Sequence, residues 1–226
     1  MEKDTPHAPD ENSNIRVAVV GNVDSGKSTL VGVLTKGIPD DGRGSARLRV
    51  FNHHHETVNG RTSSIAQEIM GFDAEGRQVL PERFVPNKNR YWAEVMSRAA
   101  KVVNLIDLCG HEKYLKTTLH GLMGIPPDYV LVVVGANMGV SKMTKEHLGI
   151  ATSLDIPVLI VVTKTDMVQL ETLQRTLDEL REIFLKNKLK RKIVIVETEQ
   201  PEAVASAAEL IYLDRVCPLF RVSSVS

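Results

Sequence analysis

Gly21-Asn22-Val23-Asp24-Ser25-Gly26-Lys27-Ser28 sets two glycines five positions apart, then a lysine and a hydroxyl residue, with Thr29 following. The stretch comes directly after the apolar run RVAVV at 16–20. Glycines let the backbone turn so tightly that successive N–H groups face inward and bind an anion. A helix opening near Lys27 adds the positive end of its dipole. Lys27 is then placed to neutralise the β and γ phosphates of a nucleotide, and the Ser28 hydroxyl to ligate Mg²⁺. All fixed positions of G-x-x-x-x-G-K-[ST] are met, in the strand-to-helix context that the pattern requires. The chemistry is polyphosphate binding, and the loop alone does not choose between ATP and GTP.

Three further residues suit the same task. Asp107 ends the apolar run VVNLID, where a carboxylate reaches Mg²⁺ through water. Gly110, three residues on, lets a backbone N–H approach the γ-phosphate with no Cβ in the way. His111 follows it and is placed to orient an attacking water. The purine is addressed elsewhere. PVLIVV runs into Thr163-Lys164-Thr165-Asp166, one residue short of the N-K-x-D pattern. A carboxylate at Asp166 can accept from guanine N1–H and N2–H₂ together, whereas adenine offers neither donor and would leave the charge unpaired. The Lys164 stem is expected along the base plane, and a hydroxyl at Thr163 stands where asparagine is usual.

The elements that position these residues are legible as Val- and Ile-rich runs at 16–20, 102–107, 129–134, 157–162, 192–196 and 218–222. They are continuous rather than alternating, which fits parallel strands covered on both faces. Helical spacing appears at 89–99, through Trp92, Val95, Met96 and Ala99. It recurs at 168–185, through Leu170, Leu173, Leu177, Leu180 and Phe184. Alternating strand and helix predicts an α/β fold with a mostly parallel central sheet flanked by helices. Residues 37–88 break the rhythm, being rich in Gly, Pro, Asn, Arg and His with no long periodic segment.

Composition narrows the class. The 226 residues carry 28 basic and 28 acidic side chains, so the whole surface is not a polyanion-binding face. Cys109 and Cys217 are far apart and give no disulfide framework, which points to a reducing compartment. Residues 1–14 read as a disordered leader without transit-peptide character. No apolar run approaches the ~18 residues of a membrane span, so a soluble, cytoplasmic protein is expected.

Taken together, these motifs resemble a GTPase of the translation-factor class. GNVDSGKST is similar to the GHVDHGKT loop of elongation factors Tu and 1-alpha, and DLCGHEKYLKTT to their D-x-P-G-H element, with Cys109 where proline is usual. The details GRTSS, GHEKYLKTT, MTKEHLG and TKTD resemble the GTP-binding protein 1 and 2 subfamily, linked to ribosomes and RNA turnover. The resemblance spans residues 15–226 and implies a P-loop G domain. It also implies that two β-barrel domains usual in such proteins lie outside this chain.

Several roles come only from that resemblance. It implies a monovalent cation held near Asp24 and a first switch enlarged over about 37–69. Within GRTSSIAQEIMGFD it places Ser64 on the hydroxyl that completes the Mg²⁺ shell, and Ile65 with Val23 as an apolar gate beside His111. It also matches Ser223-Ser224-Val225 to the S-A-[KL] loop whose amide meets guanine O6. The activity implied is GTP hydrolysis to GDP and phosphate, slow without an activator such as the ribosome. A non-hydrolysing scaffold and a P-loop ATPase are the alternatives. Among the remaining clusters, His53, His54, His55 and Glu56 read as a solvated switch segment rather than a metal site. Arg43, Arg47, Arg49 and Arg61 are candidates for ribosomal RNA. Lys186, Lys188, Lys190, Arg191 and Lys192 suit a helix C-terminus by themselves.

Overall fold

A computed structural model describes residues 14–51, 56, 62, 65–83, 85, 87–114, 124, 126–186, 191–197, 200–212 and 216–225. Its strands are β1 (Asn14–Gly21), β2 (Ala66–Phe72), β3 (Gln78–Val79), β4 (Lys101–Asp107), β5 (Tyr129–Gly135), β6 (Val158–Thr163), β7 (Lys192–Ile195) and β8 (Val216–Arg221). The helices are α1 (Lys27–Lys36), α2 (Ser45–Leu48), α3 (Lys88–Arg98), α4 (Lys142–Ser153), α5 (Leu170–Lys186) and α6 (Pro201–Tyr212). The strands form one sheet in the order β3-β2-β4-β1-β5-β6-β8-β7. Pairing is parallel from β4 across to β7. On the other edge β2 runs antiparallel to both β4 and β3.

Alternate residues of the Val-rich strands feed two separate cores, as strand geometry requires. Ala18, Val20, Val132, Ile160 and Val162 pack with Leu148 and Ala151 of α4 and with Leu177, Leu180 and Phe184 of α5. Val19, Leu105, Leu131, Val133 and Val161 pack with Leu30 and Val31 of α1. Burial on both faces is why these strands show no polar alternation. Leu170, by contrast, opens α5 exposed. In α3 the buried pair is Tyr91 and Val95, and Met96 of the expected stripe faces solvent.

The irregular region holds more structure than its sequence suggests. Within 37–88 lie α2, β2 and β3. Sequence reading misses β2 because its charged Glu68 is buried, 2% exposed, rather than facing water. The Glu68 carboxylate lies 3.2 Å from Lys36 Nζ and 2.9 Å from Lys88 Nζ. Lys36 also sits 3.8 Å from the Tyr91 ring centroid. Paired in this way, an acid belongs to the interior.

The register gathers the strand ends that matter. Val19 of β1 lies beside Asp107, Gly21 beside Val133, Gly135 beside Thr163, and Val162 beside Arg221. The central strand β1 has β4 on one side and β5 on the other, so the chain changes direction there. Crevices outside the carboxyl ends of strands at such a switch point are where open α/β sheets bind ligands.

Candidate functional site

The phosphate end of the site is built from β1, α1 and β4. Gly26 ends the loop in a left-handed conformation (φ 89°) and α1 starts at the next residue. Lys27 is 6% exposed and its ammonium donates to the Asn22 carbonyl at 2.6 Å. Burial pulls its pKa down, while the nearby Asp107, Cys109 and Asp24 act in the opposite sense. Gly110 is packed against this group. A Cβ there would lie 2.5 Å from Lys27 Nζ and 2.5 Å from the Gly21 carbonyl oxygen, so only glycine fits. Ser25 is buried, with Asn22, Val23, Ser28 and Thr29 half-buried and Asp24 exposed.

Asp107 sits at the mouth of β4, 1% exposed. The Ser28 hydroxyl donates to its Oδ2 at 2.6 Å, and the Thr62 hydroxyl lies 3.5 Å away. Thr62 Oγ1 is also 2.7 Å from Ser28 Oγ. Burial raises the Asp107 pKa to about 6, against the pull of Lys27 and the two hydroxyls. Its second oxygen, Oδ1, is buried and has no hydrogen-bond partner among the described residues. A carboxylate with an orphaned buried oxygen beside two hydroxyls is a hard-oxygen donor set, the kind that Mg²⁺ accepts. The residues therefore fit the cation that the sequence implied.

Thr62 was not among the residues that sequence reasoning selected. The motif register placed the first-switch hydroxyl at Ser64, which lies outside the described residues. A threonine two positions earlier in the same stretch was the available signal. Thr62 is held from a second side, since Cys109 Sγ–H donates to its carbonyl at 2.9 Å. Burial raises the Cys109 pKa. Glu56 is completely buried, not solvated as expected, and its charge acts on both Asp107 and Cys109. His53, His54, His55 and Arg61 fall outside the described residues. Among the described residues no group of three or more metal-ligating side chains is found.

His111 is exposed, and its Nδ1 accepts from the Lys113 amide at 3.1 Å. Ile65 is partly buried against the first core and Val23 is half-buried.

The base end lies where β6 and β8 finish side by side. Thr163 is 1% exposed, and its hydroxyl donates to the Ser25 carbonyl at 2.6 Å. The hydroxyl thus ties the end of β6 to the phosphate loop. Lys164 adopts a left-handed conformation (φ 59°), and its ammonium donates to the Asp24 carbonyl at 2.7 Å. Asp166 is exposed in the turn that follows. After β8, Val222 N–H bonds to the Val162 carbonyl at 2.9 Å, which brings Ser223, Ser224 and Val225 alongside. The Val225 amide donates to Ser223 Oγ at 3.2 Å. Arg191 is folded inward, donating to the Ile156 carbonyl at 2.9 Å, and is not part of a basic face. Arg43 and Arg49 are exposed.

Known proteins resemble the chain over most of its length. The chain is 46% identical to GTP-binding protein 1 of Xenopus laevis over 94% of its length, and 45% identical to GTP-binding protein 2 of Mus musculus over the same share. It spans only about a third of those relatives, 32% and 34% respectively. Among solved structures, a bacterial selenocysteine-specific elongation factor matches with a TM-score of 0.58 and 24% identity, over 88% of this chain and 28% of that one. Translation elongation factor SelB from Methanococcus maripaludis, in complex with the GTP analogue GppNHp, matches with a TM-score of 0.54 and 21% identity. That match covers 92% of this chain and 34% of the other, and both structural matches speak to fold. The sequence profile of the elongation factor Tu GTP binding domain matches residues 12–225. The chain therefore belongs to the family of the elongation factor Tu GTP-binding domain.

Proposed function

We propose that residues 15–226 are a GTP-binding, Mg²⁺-dependent GTP-hydrolysing switch, monomeric, cytoplasmic, and acting on the translation or RNA-turnover machinery. The observation that carries this reading is the junction of two half-sites. Lys27, Ser28, Asp107 and Gly110 converge at the end of β1, and Thr163 and Lys164 tie the base-reading loop to the same phosphate loop. The relatives' names, GTP-binding proteins 1 and 2, support guanine as the base.

In this reading Ser28 and Asp107, with a first-switch hydroxyl at Thr62 or Ser64, would hold the Mg²⁺. When bound, it neutralises charge developing between the β and γ phosphates. Lys27 stands ready beside the same oxygens, since its ammonium already points into the loop. The amides of residues 21–28 cradle the phosphates, and the Gly110 backbone approaches the γ-phosphate. His111 orients the attacking water, with Val23 and Ile65 limiting its access until an activator engages. A monovalent cation beside Asp24 belongs to the same proposal. Asp166 accepts from the guanine edge, and the amides of 223–225 meet its O6.

Competition of GTP, GDP and ATP against a fluorescent guanine nucleotide, with and without Mg²⁺, tests the binding half. Guanine nucleotides should win by orders of magnitude, and equal competition by ATP would remove guanine recognition. Phosphate release is expected at roughly 10⁻⁴ to 10⁻² per second alone, rising when ribosomes are added. No release with ribosomes present would refute hydrolysis.

A further inference from the structure

Two aspartates absorb the amides of a whole loop. Asp40 Oδ2 accepts from the N–H groups of Gly42 and Gly44, each at 3.0 Å, and its Oδ1 from Ala46 at 2.8 Å. Asp41 Oδ1 takes the intervening ones, Arg43 at 2.9 Å and Ser45 at 3.1 Å. Alternate amides thus turn to opposite sides, with Gly42 and Gly44 in left-handed conformations (φ 76° and 92°). Asp41 is exposed, whereas Asp40 is 8% exposed. A buried carboxylate that satisfies three amides fixes the backbone around it.

What that fixed backbone touches is the base end of the site. The Asp40 amide donates to the Ser224 carbonyl at 2.8 Å, across 184 residues of sequence. Ser224 is the middle residue of the loop assigned to the guanine O6. The other end of the aspartate loop is equally anchored. It runs into α2, where Ala46 is fully buried, and the chain then enters the second core at Val50, 3% exposed. The turn of α1 beneath it carries Gly32, where any Cβ would lie 2.3 Å from the Ala46 carbonyl oxygen. Residues 40–50 are therefore built into the body of the domain. They form a strut from the phosphate-binding helix to the base loop.

We propose that Asp40 is a positioning residue for the purine. Its carboxylate sets the loop so that its own amide holds the Ser224 carbonyl, and thereby aims the amides of residues 223–225 at guanine O6. Residues 40–50 then belong to the fixed body of the domain, although they fall within the stretch 37–69 expected as the first switch. The proposal rests on the guanine reading above and goes one step further, naming a residue outside the sequence motifs as a determinant of base selectivity.

The experiment compares the affinity of the full chain for GDP with that for 6-thioguanosine diphosphate, which keeps N1–H and the 2-amino group but puts sulfur, a far weaker hydrogen-bond acceptor, in place of O6. Wild-type protein should prefer GDP. If it binds both equally, the O6 reading fails before Asp40 is tested. In Asp40→Ala the preference should fall about 10-fold, the worth of one net hydrogen bond of ~1.4 kcal/mol. Affinity for inorganic tripolyphosphate, which has no base, should stay unchanged. Asp41→Ala, which leaves the Ser224 contact intact, should keep the wild-type preference. Asp40→Asn retains one acceptor oxygen and should fall between, and it decides the matter if Asp40→Ala does not fold. An Asp40 variant with wild-type preference overturns the proposal. So does one that loses GDP, the 6-thio analogue and tripolyphosphate in equal measure, because a general loss of fold does that.

Discussion

The two ends of the site are built on opposite principles. At the phosphate end Lys27, Asp107 and Ser25 are almost wholly buried, and burial lowers the pKa of Lys27 and raises that of Asp107. Ser25 Oγ and Asp107 Oδ1 lack partners there among the described residues. At the base end Asp166 and Val225 are exposed, and order comes from threads to other segments: Thr163 to Ser25, Lys164 to Asp24, Asp40 to Ser224. One end stores unsatisfied polarity inside the core, and the other hangs polar loops from it. Changes at the phosphate end should therefore alter stability and binding together. Changes at the base end should alter selectivity and leave the fold intact.

Asp166→Asn gives the largest separation of the two. An amide cannot accept from both guanine donors, so preference should move from GTP toward xanthosine triphosphate by up to ~10⁴-fold. Thermal stability should stay within about 0.5 kcal/mol, as for a surface change. A large loss of stability would erase the distinction between the ends.

His147→Leu probes the interior behind the phosphate end. His147 lies on α4, 1% exposed, with neither ring nitrogen hydrogen-bonded among the described residues. Burial, and then the nearby Lys27, lowers its pKa from 6.5 to about 4. The unfolded chain takes up this proton near pH 6.5 and the folded chain only near pH 4, so stability present above pH 6.5 is lost as pH falls through that window. The amount at stake is up to about 3 kcal/mol. The leucine variant should lack that part of the acid slope in denaturant melts recorded from pH 7 to 4. An unchanged slope would show that the imidazole is not held neutral.

The smallest effect sharpens the phosphate end itself. Thr62→Ala should raise the Mg²⁺ concentration needed to slow dissociation of a fluorescent GTP analogue, by about 10-fold for the loss of one oxygen contact. Ser64→Ala should leave that midpoint near wild type. The reverse result would return the role to Ser64.

Much of this was readable beforehand. The six Val- and Ile-rich runs correspond to β1, β4, β5, β6, β7 and β8, because strands buried on both faces leave an unbroken apolar signature. The antiparallel edge was hidden, since β2 carries its acid inward and β3 has only two residues. Local motifs marked the phosphate loop, Asp107, Gly110 and the 163–166 turn, because each is a short pattern of fixed spacing at the end of an apolar run. Thr62 and Asp40 are hydrogen-bonded to residues far along the chain, and no spacing rule reports a contact between residues 40 and 224. The D-D-G-R-G run at 40–44 was still a visible clue, because aspartates followed by glycines favour side-chain-to-amide turns.

Glu68 shows how β2 tolerates damage. With an ammonium on each carboxylate oxygen, loss of either Lys36 or Lys88 still leaves the buried acid one counter-charge. Only the double loss strands an uncompensated anion, at a cost of about 3–5 kcal/mol. Each lysine thus masks the importance of its twin. A survey of single substitutions would score both as dispensable, although the pair is not.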